Sequence, residues 1–168
     1  MKKPSVEWEN LNPVVKDTVS SFHAEIPVKI GNLAKALGLS VKVTTLDVGI
    51  SGMIEPCNQS ASGFKITINK HEPKYRQRFT LAHEIAHYLL HSHLIGVGLA
   101  DNILYRSKLS DEKEAEANRL ASDILMPRSI LRSWINQCDQ KKPADYVSRI
   151  SMEFGVSEEA MRISLGLK

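Results

Sequence analysis

The chain contains 168 residues, of which 42% are hydrophobic and 24% are charged, and its formal net charge is +3. This composition predicts one soluble domain with a sizeable core, and so small a net charge does not indicate nucleic-acid binding. The N-terminus lacks the apolar region of a signal peptide, and no apolar run is long enough to span a membrane. Cys57 and Cys138 lie far apart and form no CxxC pair, which indicates reduced thiols. We therefore expect a cytoplasmic protein that contacts neither membranes nor nucleic acid directly.

Two helices are predicted at the start of the chain. Apolar residues recur at helical spacing from 11 to 26, with Asn12 and Pro13 suited to the start of this helix and Pro27 to its end. A shorter amphipathic helix is predicted over 29–37.

Strands are predicted next. The alternating apolar pattern of a strand occurs over 41–46, 51–55 and 63–69, with turn residues between these segments. Strands so close in sequence predict a small antiparallel meander. An edge strand of such a sheet can hold an extended peptide by backbone hydrogen bonds.

The segment 78–93 contains the pattern His-Glu-x-x-His. Residues four apart on a helix are rotated by only about 40°, so His83 and His87 would project from one face and could bind one metal ion. Glu84 would lie about 100° round the helix, near enough to hold a water molecule without being a ligand. The helix is apolar nearly all round and is predicted to be buried, where polar groups need partners and a metal ion would supply one.

Further helices are predicted downstream, over 111–125, 129–137, 144–154 and 157–165. Ser110 would cap the first of these helices and Pro127 would bound it. The intervening run 94–107 lacks clean periodicity and is either a flap over the site or a loop.

Two histidines leave a catalytic zinc site one protein ligand short, and three candidates compete for that position. His93 matches the outer spacing of HExxHxxGxxH, but Leu90 stands where that pattern has a helix-breaking glycine. His91 would lie about 6 Å beyond His87 on a straight helix, too far along for one ion to reach all three histidines. A glutamate from the helix predicted over 111–125 is the third candidate.

The glutamate is favoured because Glu114 and Asn118 are four residues apart and would share one helix face. Glu114 could bind the metal while Asn118 contacts a metal-bound histidine. Glu112 stands in the capping turn and Glu116 lies about 200° round the helix from Glu114, so neither is favoured as the ligand. The alternative interpretation of all three glutamates is a solvated acidic face.

The segments RFTLAHEIAHYLLH and EAEANRLASDILMP resemble the ImmA/IrrE family of metallopeptidases, which occur in bacteria and on mobile elements. The resemblance extends over nearly the whole chain, including the C-terminal FGVSEEAMRISL. By position, it implies that His83, His87 and Glu114 bind Zn²⁺, that Glu84 is the catalytic glutamate, and that Asn118 is the asparagine of the family's E-x-x-A-N pattern. Family members are implied to cleave DNA-binding repressors or antitoxins, often encoded next to them.

We therefore predict an α+β, zincin-like fold that is mostly helical, with a small three-stranded antiparallel sheet beside the HExxH helix. The predicted single domain spans 1–168, with N-terminal helices over 1–40, the sheet over 41–70, metal-binding helices over 75–126 and C-terminal helices over 128–168.

The predicted function is that of a zinc-dependent endopeptidase that cleaves a partner protein. Glu84 would take a proton from water and pass it to the leaving amine. The candidates for stabilising the oxyanion are Tyr88, His93, Tyr105 and Arg106. Two alternatives stay open: a non-catalytic regulatory module with a structural metal, suggested by a helix-turn-helix-like turn at 154–157, and a peptidase-fold toxin or effector that uses the same site.

Overall fold

A computed structural model of the chain describes residues 1–95, 111–139 and 146–167. Over these residues the chain is mostly helical with one three-stranded sheet, which confirms the predicted α+β class. Within the same ranges, no helix combines the length and the apolar character needed to cross a membrane. Cys57 is a free thiol, whereas the side chain of Cys138 lies outside the described part of the chain.

The sheet is mixed, and the predicted antiparallel meander was wrong. Its strands are β1 (Ser40–Thr44), β2 (Gly52–Pro56) and β3 (Phe64–Asn69), in the order β1-β3-β2. β3 pairs antiparallel with β2 and parallel with β1. Four consecutive residues of β3 are buried, so both of its faces are covered and it takes the central position. β1 is mostly exposed and lies at an edge.

The crossover between β1 and β2 passes the C-terminal end of β3. Asn69, the last residue of β3, holds this connection: its side-chain amide donates to the Ile50 carbonyl at 2.9 Å and its backbone N–H donates to Ser51 at 2.8 Å. Alternating patterns identify strands but not their order, because neighbouring strands in sequence need not pair.

The N-terminal helices are α1 (Val6–Glu9), α2 (Pro13–Ser21) and α3 (Ile30–Ala36), with a 3₁₀ turn over Phe22–Ala24. α2 begins as predicted, because the Asn12 side chain accepts from the Val14 N–H at 2.9 Å, but it ends earlier than the predicted residue 26. α1 was not predicted, since four residues carry no periodicity. Tertiary contacts hold it: Glu7 accepts from Arg119 at 2.6 Å, and the Ser5 N–H donates to Asp123 at 2.8 Å.

Two long helices form the centre of the molecule. The HExxH motif lies on α4 (Lys74–His91), which packs against β2, β3 and α5 (Asp111–Leu125). α5 spans the predicted residues, while its predicted cap Ser110 lies outside the described residues. α4 continues through Leu90 to His91 and ends in a 3₁₀ turn over Ser92–Leu94. The helix is not broken at Leu90, in agreement with the helix-forming preference of leucine.

The C-terminal helices are α6 (Arg128–Asp139), α7 (Tyr146–Phe154) and α8 (Glu158–Leu165). Arg78 of α4 fixes the turn between α7 and α8: its Nε donates to the Gly155 carbonyl at 3.1 Å and its Nη2 donates to Val28 at 3.0 Å. A charged side chain that satisfies buried carbonyls in this way connects α4 to both the N-terminal and the C-terminal helices.

Candidate metal centre

Three side chains from α4 and α5 converge on one point. His83 Nε2 lies 2.9 Å from His87 Nε2. The Glu114 carboxylate reaches both rings, with Oε2 at 3.2 Å from His83 Nε2 and Oε1 at 3.2 Å from His87 Nε2. The structure thus brings together the two histidines of HExxH and the glutamate that the sequence favours as the third ligand.

The three donor groups fit a zinc-sized ion. Ligand atoms bound at about 2.0–2.2 Å in a tetrahedral site lie roughly 3.3 Å from one another. The observed separations of 2.9 Å and 3.2 Å are close to this value. His83 and His87 hold the pKa of Glu114 well below its usual range, so its carboxylate is ionised as a ligand must be. Two imidazoles and one carboxylate are a donor set found in catalytic zinc sites.

The side chain of Asn118 contacts His83, as predicted. The Asn118 Oδ1 lies 3.0 Å from His83 Nδ1. Because an amide oxygen can only accept, His83 Nδ1 carries the proton and its Nε2 lone pair points toward Glu114. This is the arrangement in which an imidazole binds a metal through its ε nitrogen.

His91 and His93 lie outside the cluster. His91 is 1% exposed, with Nδ1 at 3.0 Å from His87 Nδ1 and Nε2 at 2.8 Å from Glu116. His93 is exposed in the 3₁₀ turn that follows α4. Glu116 also lies outside the cluster, and its carboxylate, on a side chain that is 23% exposed, contacts His91. The spacing of His91 four residues after His87 is a sequence signal for the contact between these two rings.

Glu84 is 1% exposed and lines a cavity of about 340 Å³ together with His83 and Glu114. The other lining residues are Ser51, Phe79, Thr80 and Asn118. The structure therefore places the predicted catalytic carboxylate on the same cavity as two of the predicted ligands. A group so placed can contact a water molecule or peptide that occupies the cavity.

A larger cavity of about 430 Å³ adjoins the first. Both are lined by Ser51, Phe79, Thr80 and Asn118. The larger cavity extends over apolar residues of the C-terminal half, namely Met126, Val156, Ala160 and Ile163. We refer to the two adjoining cavities as the cleft. It runs from the metal-site residues to α8 and presents an apolar wall at its far end.

The predicted oxyanion stabilisers are not brought to the cleft among the described residues. Tyr88 packs edge-on against Phe64 with ring centroids 5.6 Å apart, and His93 is exposed. Tyr105 and Arg106 lie outside the described residues, as does most of the predicted flap or loop at 94–107.

The HExxH helix α4 lies beside a small sheet, and a glutamate of α5, the next long helix, lies close to both histidines. This arrangement is typical of a metallopeptidase domain. The sequence profile of the IrrE N-terminal-like domain, a peptidase family, matches residues 32–165, and the chain belongs to this family. This finding confirms the resemblance to the ImmA/IrrE peptidases.

Among solved structures, the chain is similar to a Mycobacterium tuberculosis transcriptional regulator, with a TM-score of 0.59 and 13% identity. At this identity the likeness concerns the fold. The match covers 95% of this chain but only 48% of that protein, so the chain spans about half of its length. No curated protein sequence matches the chain. The organisation of 1–168 as a single domain stays a prediction.

Proposed function

We propose that the protein is a zinc-dependent endopeptidase that cleaves a partner protein in the cytoplasm. The observation that carries this proposal is the convergence of His83, His87 and Glu114 within 4.8 Å of one another, beside a cavity that His83, Glu114 and the buried Glu84 line. Membership of a peptidase family supports the same reaction class.

In this proposal His83, His87 and Glu114 hold the metal and Glu84 is the general base. Zinc, when bound, polarises the scissile carbonyl and makes water a nucleophile near neutral pH. The Glu84 carboxylate accepts a proton from the attacking water and then delivers it to the leaving amine nitrogen. Asn118 keeps the His83 ring in its binding orientation through the 3.0 Å contact.

The shape of the cleft supports a polypeptide as substrate. β2 is an edge strand of the sheet that the described residues form, and Ser51 just before it lines both cavities. An extended peptide could pair with such an edge by backbone hydrogen bonds while its side chains enter the cleft. The two cavities, of about 430 and 340 Å³, together offer more room than a single amino acid fills, which favours an endopeptidase.

The partner that we propose is a DNA-binding repressor or antitoxin encoded next to the protein. The resemblance to the ImmA/IrrE peptidases supports this substrate class. Direct DNA binding by the chain itself is not expected, because α8 begins with Glu158 and Glu159 where a recognition helix would carry basic residues.

The test is Glu84→Gln in the full chain, loaded with Zn²⁺ and incubated with a neighbouring helix-turn-helix protein. The wild type should produce defined fragments by mass spectrometry, and the variant should bind Zn²⁺ normally but cleave at least 100-fold more slowly, the order of loss expected for a general base. Glu153→Gln, at an exposed position of α7, is the control and should cleave normally. Normal cleavage by Glu84→Gln would refute the proposed chemistry.

The cleavage assay and a gel-shift assay together separate the alternatives. A regulatory module with a structural metal would bind its promoter DNA in a salt-dependent gel-shift assay and cleave nothing. A toxin or effector would cleave a cellular protein rather than the neighbouring repressor or antitoxin. Both results would contradict the proposed partner, and only the first would contradict peptidase activity.

A further inference from the structure

A chain of hydrogen-bonded side chains leads from His87 through the interior to α5. His87 Nδ1 lies 3.0 Å from His91 Nδ1, and His91 Nε2 lies 2.8 Å from Glu116 Oε2. Lys113 Nζ also contacts the Glu116 oxygen at 3.3 Å. His87 and His91 are 3% and 1% exposed, so water has little access to the contact between the rings. We call His87, His91 and Glu116 the relay.

The chemistry of these groups fixes the position of each proton. An ionised carboxylate can only accept, so His91 Nε2 must donate to Glu116. Neutral imidazole carries one proton, which leaves His91 Nδ1 as an acceptor. His87 Nδ1 must then donate to it, and the lone pair of His87 Nε2 faces Glu114.

The two proposed ligand histidines are therefore oriented in different ways. A single amide, from Asn118 at the exposed side, accepts from His83. His87 lies deeper, and the buried His91 ring connects its Nδ1 to the carboxylate of Glu116. Because His83, His87 and His91 are each four residues apart, one face of α4 carries both the metal-binding pair and this support.

We propose that His91 and Glu116 are positioning residues that set the tautomer and the ring orientation of His87 for metal binding. This inference rests on the proposed function only in that His87 is a metal ligand. Partners of metal-bound histidines affect metal affinity, whereas a histidine that merely fills the core would affect stability alone.

The first test measures the affinity of the full chain for Zn²⁺ by chelator competition. His91→Leu removes both hydrogen-bonding atoms and should weaken Zn²⁺ binding roughly 10- to 100-fold. His91→Gln keeps an acceptor for His87 and a donor for Glu116, and should stay within a few-fold of wild type. Equal affinities of His91→Leu and wild type would overturn the proposal, as would an equally large loss in His91→Gln.

The matched control is His23→Leu, which removes a half-buried histidine that contacts the Ile124 carbonyl at 3.1 Å, remote from the relay in sequence. It should reduce stability without changing Zn²⁺ affinity, so that loss of packing is separated from loss of orientation.

Glu116→Ala should weaken Zn²⁺ binding, as His91→Leu does, while Glu112→Ala on the same helix should not. An unchanged affinity in Glu116→Ala would remove Glu116 from the relay.

A second test needs no variant. Imidazole ¹⁵N NMR of the Zn²⁺-loaded wild type should show the proton of His87 on Nδ1 and that of His91 on Nε2. The opposite protonation of either ring would overturn the proposal even if the His91 variants failed to fold. A wild type that binds Zn²⁺ with these tautomers but cleaves no protein would contradict the peptidase proposal alone. A wild type that binds no Zn²⁺ would contradict both.

Discussion

At the scale of single residues, the hydrogen bond that a histidine makes through Nδ1 determines where its Nε2 points and whether that nitrogen can bind a metal ion. His83 and His87 both direct Nε2 toward Glu114 because their Nδ1 atoms are engaged elsewhere. The partner of His83, Asn118, is exposed and lines both cavities of the cleft. It therefore contacts His83 on one side and the cleft on the other.

This position of Asn118 leads to a prediction about metal affinity. Asn118→Leu removes the acceptor for His83 and should weaken Zn²⁺ binding about tenfold or more, whereas Asn118→Asp keeps an acceptor and should stay close to wild type. Chelator competition is the measurement. Asn32→Leu, at an exposed position of α3, is the control. If Asn118→Leu bound Zn²⁺ like the wild type, the contact to His83 would have no part in the site.

At the scale of elements, the close approach of β2 to α4 depends on Gly52. A Cβ atom at this position would lie 2.5 Å from Thr80 Cγ2 and 3.0 Å from the Thr67 carbonyl oxygen. Thr80 lies one turn before His83 and Glu84 on α4. The absence of a side chain at position 52 thus allows the edge strand to lie directly beside the helix that carries the motif.

Gly52→Ala should lower the free energy of unfolding by about 1–3 kcal/mol, because the added methyl group overpacks the contact between β2 and α4. Removing the clashing methyl group with Thr80→Ser in the same chain should restore part of this loss, since the Thr67 contact remains. Urea denaturation is the measurement. Gly31→Ala is the control, because nothing lies within 4 Å of the added Cβ atom. Equal stability of Gly52→Ala and wild type would show that β2 moves away without cost.

At the scale of the whole molecule, the cleft joins parts of the chain that are distant in sequence. Ser51 precedes β2, Phe79 lies on α4, Asn118 lies on α5, and Ile163 lies on α8. Arg78 fixes this arrangement, since its guanidinium binds carbonyls at Val28 and Gly155. α8 therefore forms one wall of the cleft.

The apolar end of the cleft leads to a prediction about substrate recognition. Ile163 is 53% exposed, and Ile163→Arg should lower kcat/KM for the cleaved protein roughly 10- to 200-fold without changing Zn²⁺ affinity. Met152→Arg, at a 78% exposed apolar position of α7 that does not line either cavity, is the matched control. If both substitutions lowered kcat/KM equally, or if neither lowered it, the apolar end of the cleft would take no part in binding.

The sequence by itself determined the local features of this protein. The helical periodicity located α4 and α5, and the four-residue spacing within HExxH placed His83 and His87 on one face, because both follow from the geometry of a single helix. The same spacing rule indicated Glu114 and Asn118 as a pair. For the third ligand the sequence offered only candidates, because a contact between two helices depends on how those helices pack.

The tertiary structure decided how these local features meet. It placed β3 between β1 and β2, because the strand with two buried faces takes the centre of the sheet. It brought Glu116 to His91, a contact that the spacing along α5 alone does not indicate, because two helices packed side by side can meet at more than one face. The sequence determined which side chains share a face, and packing between elements determined which of them touch.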